Sequence, residues 1–329
     1  MSVLISSAGR RVALLEAFRA SVRDLGVGDA RVLAADASEY SAAFHRADQG
    51  FVVPRCADES YIPTLLSLCE REGVRLVVPT IDPELPILAA HRHAFAAIGA
   101  TVAVSGPDTV AIGSDKWMTH RWLREQGFPT VRQSDPGEAL ARPADWAPPL
   151  LVKPVRGSAS IGVEVVGTRA ELEVLAARGD DLIVQSIAPG AEHTVDVYVA
   201  ADGAVHGVVP RRRLETRGGE VSKGITVRSE PLIGLVTDLV ARLPDAFGAL
   251  NVQVFLDEAD TSAVIEINAR FGGGFPLTHA AGADYTRWLV EEVYGLPGSA
   301  GSDGWRTGVV MLRWDDAVFL DVRDLETVP

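Results

Sequence analysis

A carboxylate, an amide and a guanidinium stand at every second position in Glu266-Ile267-Asn268-Ala269-Arg270. In an extended strand, residues i, i+2 and i+4 share one face, so Glu266, Asn268 and Arg270 project together. Ala263-Val264-Ile265 leads into the strand, and Ile267 and Ala269 give it an apolar back. The first two side chains offer hard oxygen donors of the kind Mg²⁺ accepts; the guanidinium matches a phosphate or carboxylate oxygen. Just upstream, Asn251-Val252-Gln253-Val254-Phe255-Leu256 alternates in the same way, with Asp257 to Ser262 reading as the turn between two strands. A hairpin about that turn sets Gln253 opposite Glu266 and adds a second amide oxygen to the face.

A second group of residues is suited to phosphate. Leu150 to Pro154 reads as a strand with Lys153 near its end, followed by the small-residue loop Val155-Arg156-Gly157-Ser158-Ala159-Ser160-Ile161-Gly162. Small residues let backbone N–H groups approach an anion closely. The Walker pattern G-x-x-x-x-G-K-[ST] is absent, as is the dinucleotide fingerprint G-x-G-x-x-G after the first strand. Gly113-Ser114-Asp115-Lys116 opens a helix with Ser114 or Asp115 as N-cap. A lysine in a first helical turn opposes the helix dipole, a conflict that an anionic ligand relieves. Leu182 to Ile187 is a buried-type strand running into Ala188-Pro189-Gly190 and then Glu192; extended backbone leaving a sheet can pair with an adenine edge, and a nearby glutamate can accept from ribose hydroxyls.

The elements that must position these groups fall into two textures. Residues 1 to about 106 alternate strands (Val3–Ser6, Arg31–Asp36, Arg75–Pro79, Thr101–Ser105) with helices (Arg11–Leu25, Ile62–Glu72, Leu85–Ile98), the pattern of a doubly wound parallel sheet. From residue 107 onward antiparallel-type strands dominate: Leu150–Pro154, Gly162–Val166, Leu182–Ile187, Glu192–Ala200 and Ala204–Val209, then a helix at Ile233–Phe247 before the hairpin. No internal repeat is apparent.

The 329 residues are 47% hydrophobic and 23% charged, as in an ordinary globular protein of two or three domains. A net charge of −13 argues against non-specific binding to nucleic acid or anionic membranes. No apolar run approaches the roughly 18 residues of a membrane span, and the N-terminus lacks the pattern of a signal peptide. Cys56 and Cys69 form neither a metal spacing nor a disulfide framework, so the expected compartment is the cytoplasm.

In this order the pieces resemble the ATP-grasp superfamily and, within it, the short relatives of the carbamoyl phosphate synthetase large subunit. The resemblance covers most of the chain. It rests on Asp115-Lys116, Lys153-Pro154 with its loop, Val184-Gln185 with Gly190-x-Glu192, Asn251-Val252-Gln253, Glu266-x-Asn268-x-Arg270 and Gly272-Gly273-Gly274. It implies a mixed α/β and α+β fold, with a doubly wound pre-ATP-grasp domain over residues 1–106 and an ATP-grasp domain over 107–329. The latter would divide into a small lid at about 120–190 and a C-terminal subdomain at 191–329 holding the metal site.

Carried over residue by residue, the resemblance implies that Lys116 and Lys153 contact ATP phosphates, with Ser158 and Ser160 in the phosphate loop. Gln185 and Ile187 would offer backbone groups to adenine, and Glu192 would bind ribose. Gln253, Glu266 and Asn268 would hold Mg²⁺, with Mn²⁺ a substitute; Gln253 stands where many such enzymes have an acid, and the carbamoyl phosphate synthetase branch shares that glutamine. Arg270, with Lys153, would stabilise the transferring phosphoryl group. On the substrate side, Asp82 and Glu84 follow a strand end where open sheets bind ligands, although Asp82-Pro83 is equally a helix cap. Arg211 and Arg213 are candidates to reach the γ-phosphate or a substrate carboxylate, Lys223 is a candidate for ATP, and Gly273 of the glycine triplet is a further substrate candidate. The expected activity is an ATP-dependent carboxylate–amine, or carboxylate–ammonia, ligase acting on small molecules through an acyl-phosphate. The chain would act without nucleic acid or membrane, and a homodimer is allowed. A small-molecule kinase and a non-catalytic nucleotide-binding subunit remain the alternatives.

Overall fold

The computed structural model describes residues 2–157, 161–179, 181–301 and 304–325, folded around three sheets. The first is all-parallel, in the order β3-β2-β1-β4-β5, with β1 at Ser2–Ser6, β2 at Arg31–Asp36, β3 at Gln49–Val52, β4 at Val74–Pro79 and β5 at Thr101–Val102. Its central strands are near-continuous apolar runs because helices cover both faces. The period-2 alternation divides them cleanly. Leu4, Leu33 and Val77 pack into one cluster with helices Tyr61–Glu72 and Leu85–Ala97, while Val3, Ile5, Val32, Leu76 and Val78 pack into another with helices Val12–Asp24 and Tyr285–Tyr294.

The second sheet is antiparallel and small: β6 (Gln133–Ser134), β7 (Leu150–Pro154), β8 (Glu164–Val166) and β9 (Leu182–Ser186), in the order β6-β9-β7-β8. It has its own apolar cluster, built on Trp146, Leu150, Val152, Leu172, Leu175 and Val184. The third sheet is antiparallel with six strands in the order β14-β13-β10-β11-β12-β15: β10 (Ala191–Val199), β11 (Val205–Arg217), β12 (Glu220–Thr226), β13 (Gly248–Leu256), β14 (Ser262–Asn268) and β15 (Val310–Leu312). Its apolar face joins the core beneath the parallel sheet through Val195, Val197, Val252, Val254 and Ile267. No helix among the described residues is long and apolar enough to cross a membrane.

Several elements differ from the sequence reading. The strand expected over Thr101–Ser105 pairs only at Thr101 and Val102, and that expected over Gly162–Val166 begins at Glu164. The edge strand β3 and the strand β12 were not expected; each carries a glycine and polar residues, and each exists because a neighbour supplies its ladder. Asp36 closes a turn, its Oδ2 accepting the Gly9 N–H at 2.7 Å.

Glu84 also departs from expectation. It is fully buried behind the loop that follows β4, not at a ligand face. Its carboxylate accepts from the backbone N–H groups of Thr80 (2.7 Å) and Ile81 (3.1 Å), from the Ser7 hydroxyl (2.9 Å) and from the Tyr61 hydroxyl (2.8 Å). Burial raises its pKa, and the hydrogen bonds from Thr80, Tyr61 and Ile81 offset part of that rise. Glu84 is therefore the acceptor that ties the loops after β1 and β4 together. Glu84→Ala should cost about 2–5 kcal/mol in chemical denaturation, because it orphans buried backbone donors. Glu84→Gln should cost about 1 kcal/mol, since the amide oxygen still serves the backbone and the hydroxyls can turn to accept.

Candidate active site

The β13–β14 hairpin sets the floor of the site. Its register pairs Gln253 with Glu266 and Asn251 with Asn268, as the alternation required. The rank continues across the sheet, Gln253 pairing with Thr194 on β10 and Thr194 with Arg211 on β11. Four adjacent strands thus present Glu266, Gln253, Thr194 and Arg211 in a row on one face, and all four line a cavity of about 580 Å³. The ladder of β13 and β14 shifts between Gln253 and Val254, leaving Ile265 without an opposite residue. Such a bulge re-aims side chains, and here Ile265 and Glu266 both line the cavity.

Amide orientation follows from a chain of hydrogen bonds. Asn251 Nδ2 donates to the Arg270 carbonyl at 3.0 Å, which leaves Asn251 Oδ1 to accept from Asn268 Nδ2 at 3.2 Å. The Asn268 side-chain oxygen is then the atom left for a cation. With the Glu266 carboxylate and the Gln253 amide, this makes an all-oxygen set fitting Mg²⁺, which takes few protein ligands and fills its shell with water and phosphate oxygens. Among the described residues no group of three or more His, Cys, Asp or Glu forms another metal cluster.

Lys153 enters from β7 and Lys116 from the start of helix Lys116–Glu125, whose N-cap is Asp115, accepting from Trp117 and Met118. Lys116 Nζ donates to the Gly157 carbonyl at 2.9 Å and the Val155 carbonyl at 3.4 Å, tying the helix start to the loop after β7. Lys153 is 6% exposed. Burial, the field of Glu266 notwithstanding, lowers its pKa to about 8, and Lys116 adds to the fall. Burial also lowers Lys116, against the pull of Glu266. Glu266 is raised by desolvation, with Lys116, Lys153 and Arg270 holding it down and Asp82 pushing it up.

Arg270 is clamped. Its Nε and Nη2 donate to Asp82 Oδ1 and Oδ2 at 2.6 and 2.7 Å, a bidentate bridge from the bend that follows β14, where the expected strand has already ended at Asn268, to the segment after β4. Burial pulls the Arg270 pKa down, but Asp82 more than reverses this. Arg211 is held likewise, Nε and Nη2 on Asp196 at 2.7 and 2.9 Å, while its Nη1 is buried beside Gly274 with no acceptor. A Cβ on Gly274 would collide with that nitrogen. Arg213 pairs with Glu192 and donates to the Gly219 carbonyl at 3.0 Å.

The structure therefore brings Asp82, Lys116, Lys153, Glu192, Arg211, Arg213, Gln253, Glu266, Asn268, Arg270 and Gly273 to one cavity. Glu84 and Lys223 lie elsewhere, and Gln185 and Ile187, expected to act through backbone groups, do not line the cavity with their side chains. Glu84 lies behind the wall; the Gln185 side chain turns to Gln133 Oε1 at 2.7 Å; Ile187 is 44% exposed beyond β9; Lys223 faces across the β11–β12 ladder to Glu215 at 2.7 Å. Ser158 and Ser160 lie outside the described residues. Sequence reasoning missed Arg11, Thr194, Glu220 and Asn251 on the cavity wall. Thr194 and Asn251 each stand two residues from an expected site residue, on the same strand face, a signal that could have found them; Arg11 and Glu220 arrive through contacts distant in sequence. Among the described residues, seven cationic side chains and four carboxylates line this cavity, a local cationic excess that a polyphosphate would balance in a chain of net charge −13.

The comparisons agree with this architecture. Residues 3–103 match a PylC-like N-terminal domain and residues 113–274 an ATP-grasp domain. The chain is an ATP-grasp protein with a PylC-like N-terminal domain. Among curated proteins, a D-alanine–D-alanine ligase of Corynebacterium aurimucosum is 34% identical over 131 residues, 37% of this chain and 35% of that ligase. A Mycobacterium avium protein of the same name is 26% identical over 246 residues, 69% of this chain and 64% of the relative. The chain thus spans about a third of the length of the first of these relatives. The fold is also that of the biotin carboxylase domain of Hydrogenobacter thermophilus 2-oxoglutarate carboxylase (18% identity, TM-score 0.73, 94% of this chain and 73% of that one). Staphylococcus aureus N5-carboxyaminoimidazole synthetase shares it too (15% identity, TM-score 0.70, 90% and 78%).

The depressed pKa of Lys153 has a measurable consequence. Its folded value, about 8, lies below the ordinary 10.5, so the side chain loses its proton as pH rises through 8 in the ligand-free protein. Phosphate oxygens favour the charged form, so nucleotide binding should take up almost no proton at about pH 7 and approach one proton near about pH 9. Calorimetric titration with MgADP in buffers of different ionisation enthalpy reads that uptake, and Lys153→Met should abolish it.

Proposed function

We propose that this chain is an ATP-dependent carboxylate–amine ligase. The observation carrying the reading is the convergence, in one cavity, of Lys116, Lys153, the Gln253–Glu266–Asn268 oxygens and Arg270 from separate segments. In this reading the two lysines and Arg270 bind the phosphates, and the cationic wall offsets charge as the γ-phosphoryl group passes to a substrate carboxylate. Gln253, Glu266 and Asn268 would hold magnesium, which would supply charge neutralisation to the phosphates. The products of the first step are ADP and an acyl-phosphate. An amine then attacks the acyl carbon, the C–O bond to phosphate breaks, an amide forms and the amine proton is lost to solvent. Enclosure by the small sheet keeps water from the acyl-phosphate. Asp82 orients Arg270 through both carboxylate oxygens.

The name D-alanine–D-alanine ligase on the relatives supports a ligase that joins a carboxylate to an amine. The test is a screen of carboxylic acids and amines for ADP release, with the product mass determined. Release that needs both substrates and yields the mass of an amide supports the reading; ADP formed with an acid alone and a stable phosphorylated product would replace it with a kinase.

Two substitutions separate chemistry from folding. Glu266→Gln keeps the shape but removes the metal-binding charge, and it should raise the Mg²⁺ concentration needed for half-maximal turnover. Arg270→Ala should lower kcat by ~10²-fold or more, as loss of a preorganised charge stabiliser does. Normal turnover in both variants, with circular dichroism showing wild-type folding, would leave the strand face as a polar surface only.

A further inference from the structure

The main cavity adjoins a smaller chamber of about 200 Å³, and Arg11, Thr80, Glu220 and Gly273 are among the residues that line both. A Cβ built on Gly273 would stand 3.3 Å from the Glu220 carboxyl carbon and 3.4 Å from Arg11 Nη1, tighter than ordinary contact, so the glycine keeps this passage clear. The charged residues of the chamber wall are Arg10, Arg11, Arg313 and Glu220. Three cations against one carboxylate leave an excess of two positive charges, in a chain whose net charge is −13.

The one carboxylate is already engaged. Glu220 accepts from Arg313 Nη1 at 3.1 Å and lies 3.9 Å from Nη2 of Arg10, which stands exposed at the rim. Arg11 has no such partner. Its Nη2 donates to the Thr80 carbonyl at 3.3 Å, and its other N–H groups have no acceptor among the described residues. The helix that it caps, Val12–Asp24, brings no acid in its first turn to answer the charge. Arg211 and Arg270, by contrast, are each clamped by a carboxylate through two bonds. Burial, reinforced by Arg270, lowers the Arg11 pKa to about 10, although Glu220 pulls the other way. The guanidinium thus stays charged at neutral pH where the protein supplies no full counterpart.

A dianion would complete the chamber. A phosphate monoester carries roughly −1.5 to −2 at pH 7 and offers three acceptor oxygens, which planar guanidinium groups bind two at a time. A single carboxylate would answer only half of the excess. Building on the ligase reading, we infer that the carboxylate substrate is a phosphorylated acid whose phosphate monoester sits in this chamber, on Arg11 and Arg313, with Arg10 closing from the rim. The phosphate takes no part in the reaction; it anchors the acid so that its carboxylate reaches the main cavity beside Arg270. Arg11 lies within the field of Arg270, so a short spacer joins the two ends.

The test is calorimetric titration with the nucleotide site filled by Mg²⁺ and a non-hydrolysable ATP analogue, so that no probe can lodge where the γ-phosphate belongs. The probes are methyl phosphate, 2-phosphoglycolate, glycolate and malonate. Methyl phosphate should bind, 2-phosphoglycolate should bind at least as tightly, and glycolate should bind about tenfold or more weakly than its phosphate ester. Arg11→Met and Arg313→Met should each weaken methyl phosphate about tenfold. Arg313 does not line the main cavity, so Arg313→Met should bind the nucleotide analogue as wild type does. Arg11→Lys, which keeps the charge, should retain part of the affinity that Arg11→Met loses. No binding of methyl phosphate, binding that neither Met variant weakens, or malonate bound as tightly as methyl phosphate would each overturn the inference. Failure of wild type to bind the analogue would count against the ligase reading alone, because methyl phosphate titrated into ligand-free wild type and Arg313→Met still decides what the chamber holds.

Discussion

Glu266 is the charge about which the site is built. Desolvation alone would neutralise a carboxylate at the floor of the cavity, yet Lys116, Lys153 and Arg270 hold it toward the ionised form. The dependence is mutual, because Glu266 is the leading counterweight to the burial of both lysines. One comes from the start of a helix, the other from the small sheet, and the arginine from the bend just after the strand of Glu266. A balanced set of this kind is costly to bury and stabilises little by itself. Its value lies in poise: cations that are underused by the protein are available to a polyphosphate.

Around that centre the structure spends its hydrogen bonds on orientation. Asp82 holds Arg270 by two bonds, Asp196 holds Arg211 by two, and the Asn251 amide fixes Asn268. Two of these fixed groups then have an atom left over, the Asn268 oxygen and Nη1 of Arg211, while Nη1 of Arg270 donates to the Phe271 carbonyl. Thr278 adds a hydroxyl to Asp196, a third hydrogen bond that holds the buried acid against its arginine. Preorganisation of this sort keeps the donors from having to reorganise as charge develops.

Much of this was legible in the residues, and the reason is geometric. Period-2 alternation in Asn251–Leu256 and Ala263–Arg270 determines which side chains share a face, and the turn between them determines the register, so Gln253 opposite Glu266 follows from local pattern alone. The bulge at Ile265 does not follow, because one unpaired residue depends on how two strands twist together. Glu84 was misread for a similar reason. A carboxylate after a strand end looks the same in sequence whether it faces ligand or loop, and only the distant Ser7 and Tyr61 decide it. Lys223 was drawn away by a partner on the neighbouring strand, Glu215. Arg11 caps a helix far in sequence from Glu220, and the two share a cavity wall only because the segments after β1 and before β12 come together there.

The separate apolar cluster of the small sheet has a mechanical meaning. Trp146, Leu150, Leu172 and Val184 are sealed among themselves, so displacing β6–β9 as a body would uncover little nonpolar area. What links that body to the cavity beside Lys116 is polar and easily exchanged for water: Lys116 to the carbonyls of Val155 and Gly157, and Arg156 to Asp115 at 3.4 Å. On the opposite side, Thr130 bonds to the Val264 carbonyl and Val264 N–H to the Pro129 carbonyl, pinning the approach to the small sheet onto β14. The strand that carries Glu266 is thereby also the anchor of the small sheet, so the body with its own sealed interior is held by hydrogen bonds to the backbone of β14 and, beside Lys116, by polar contacts alone.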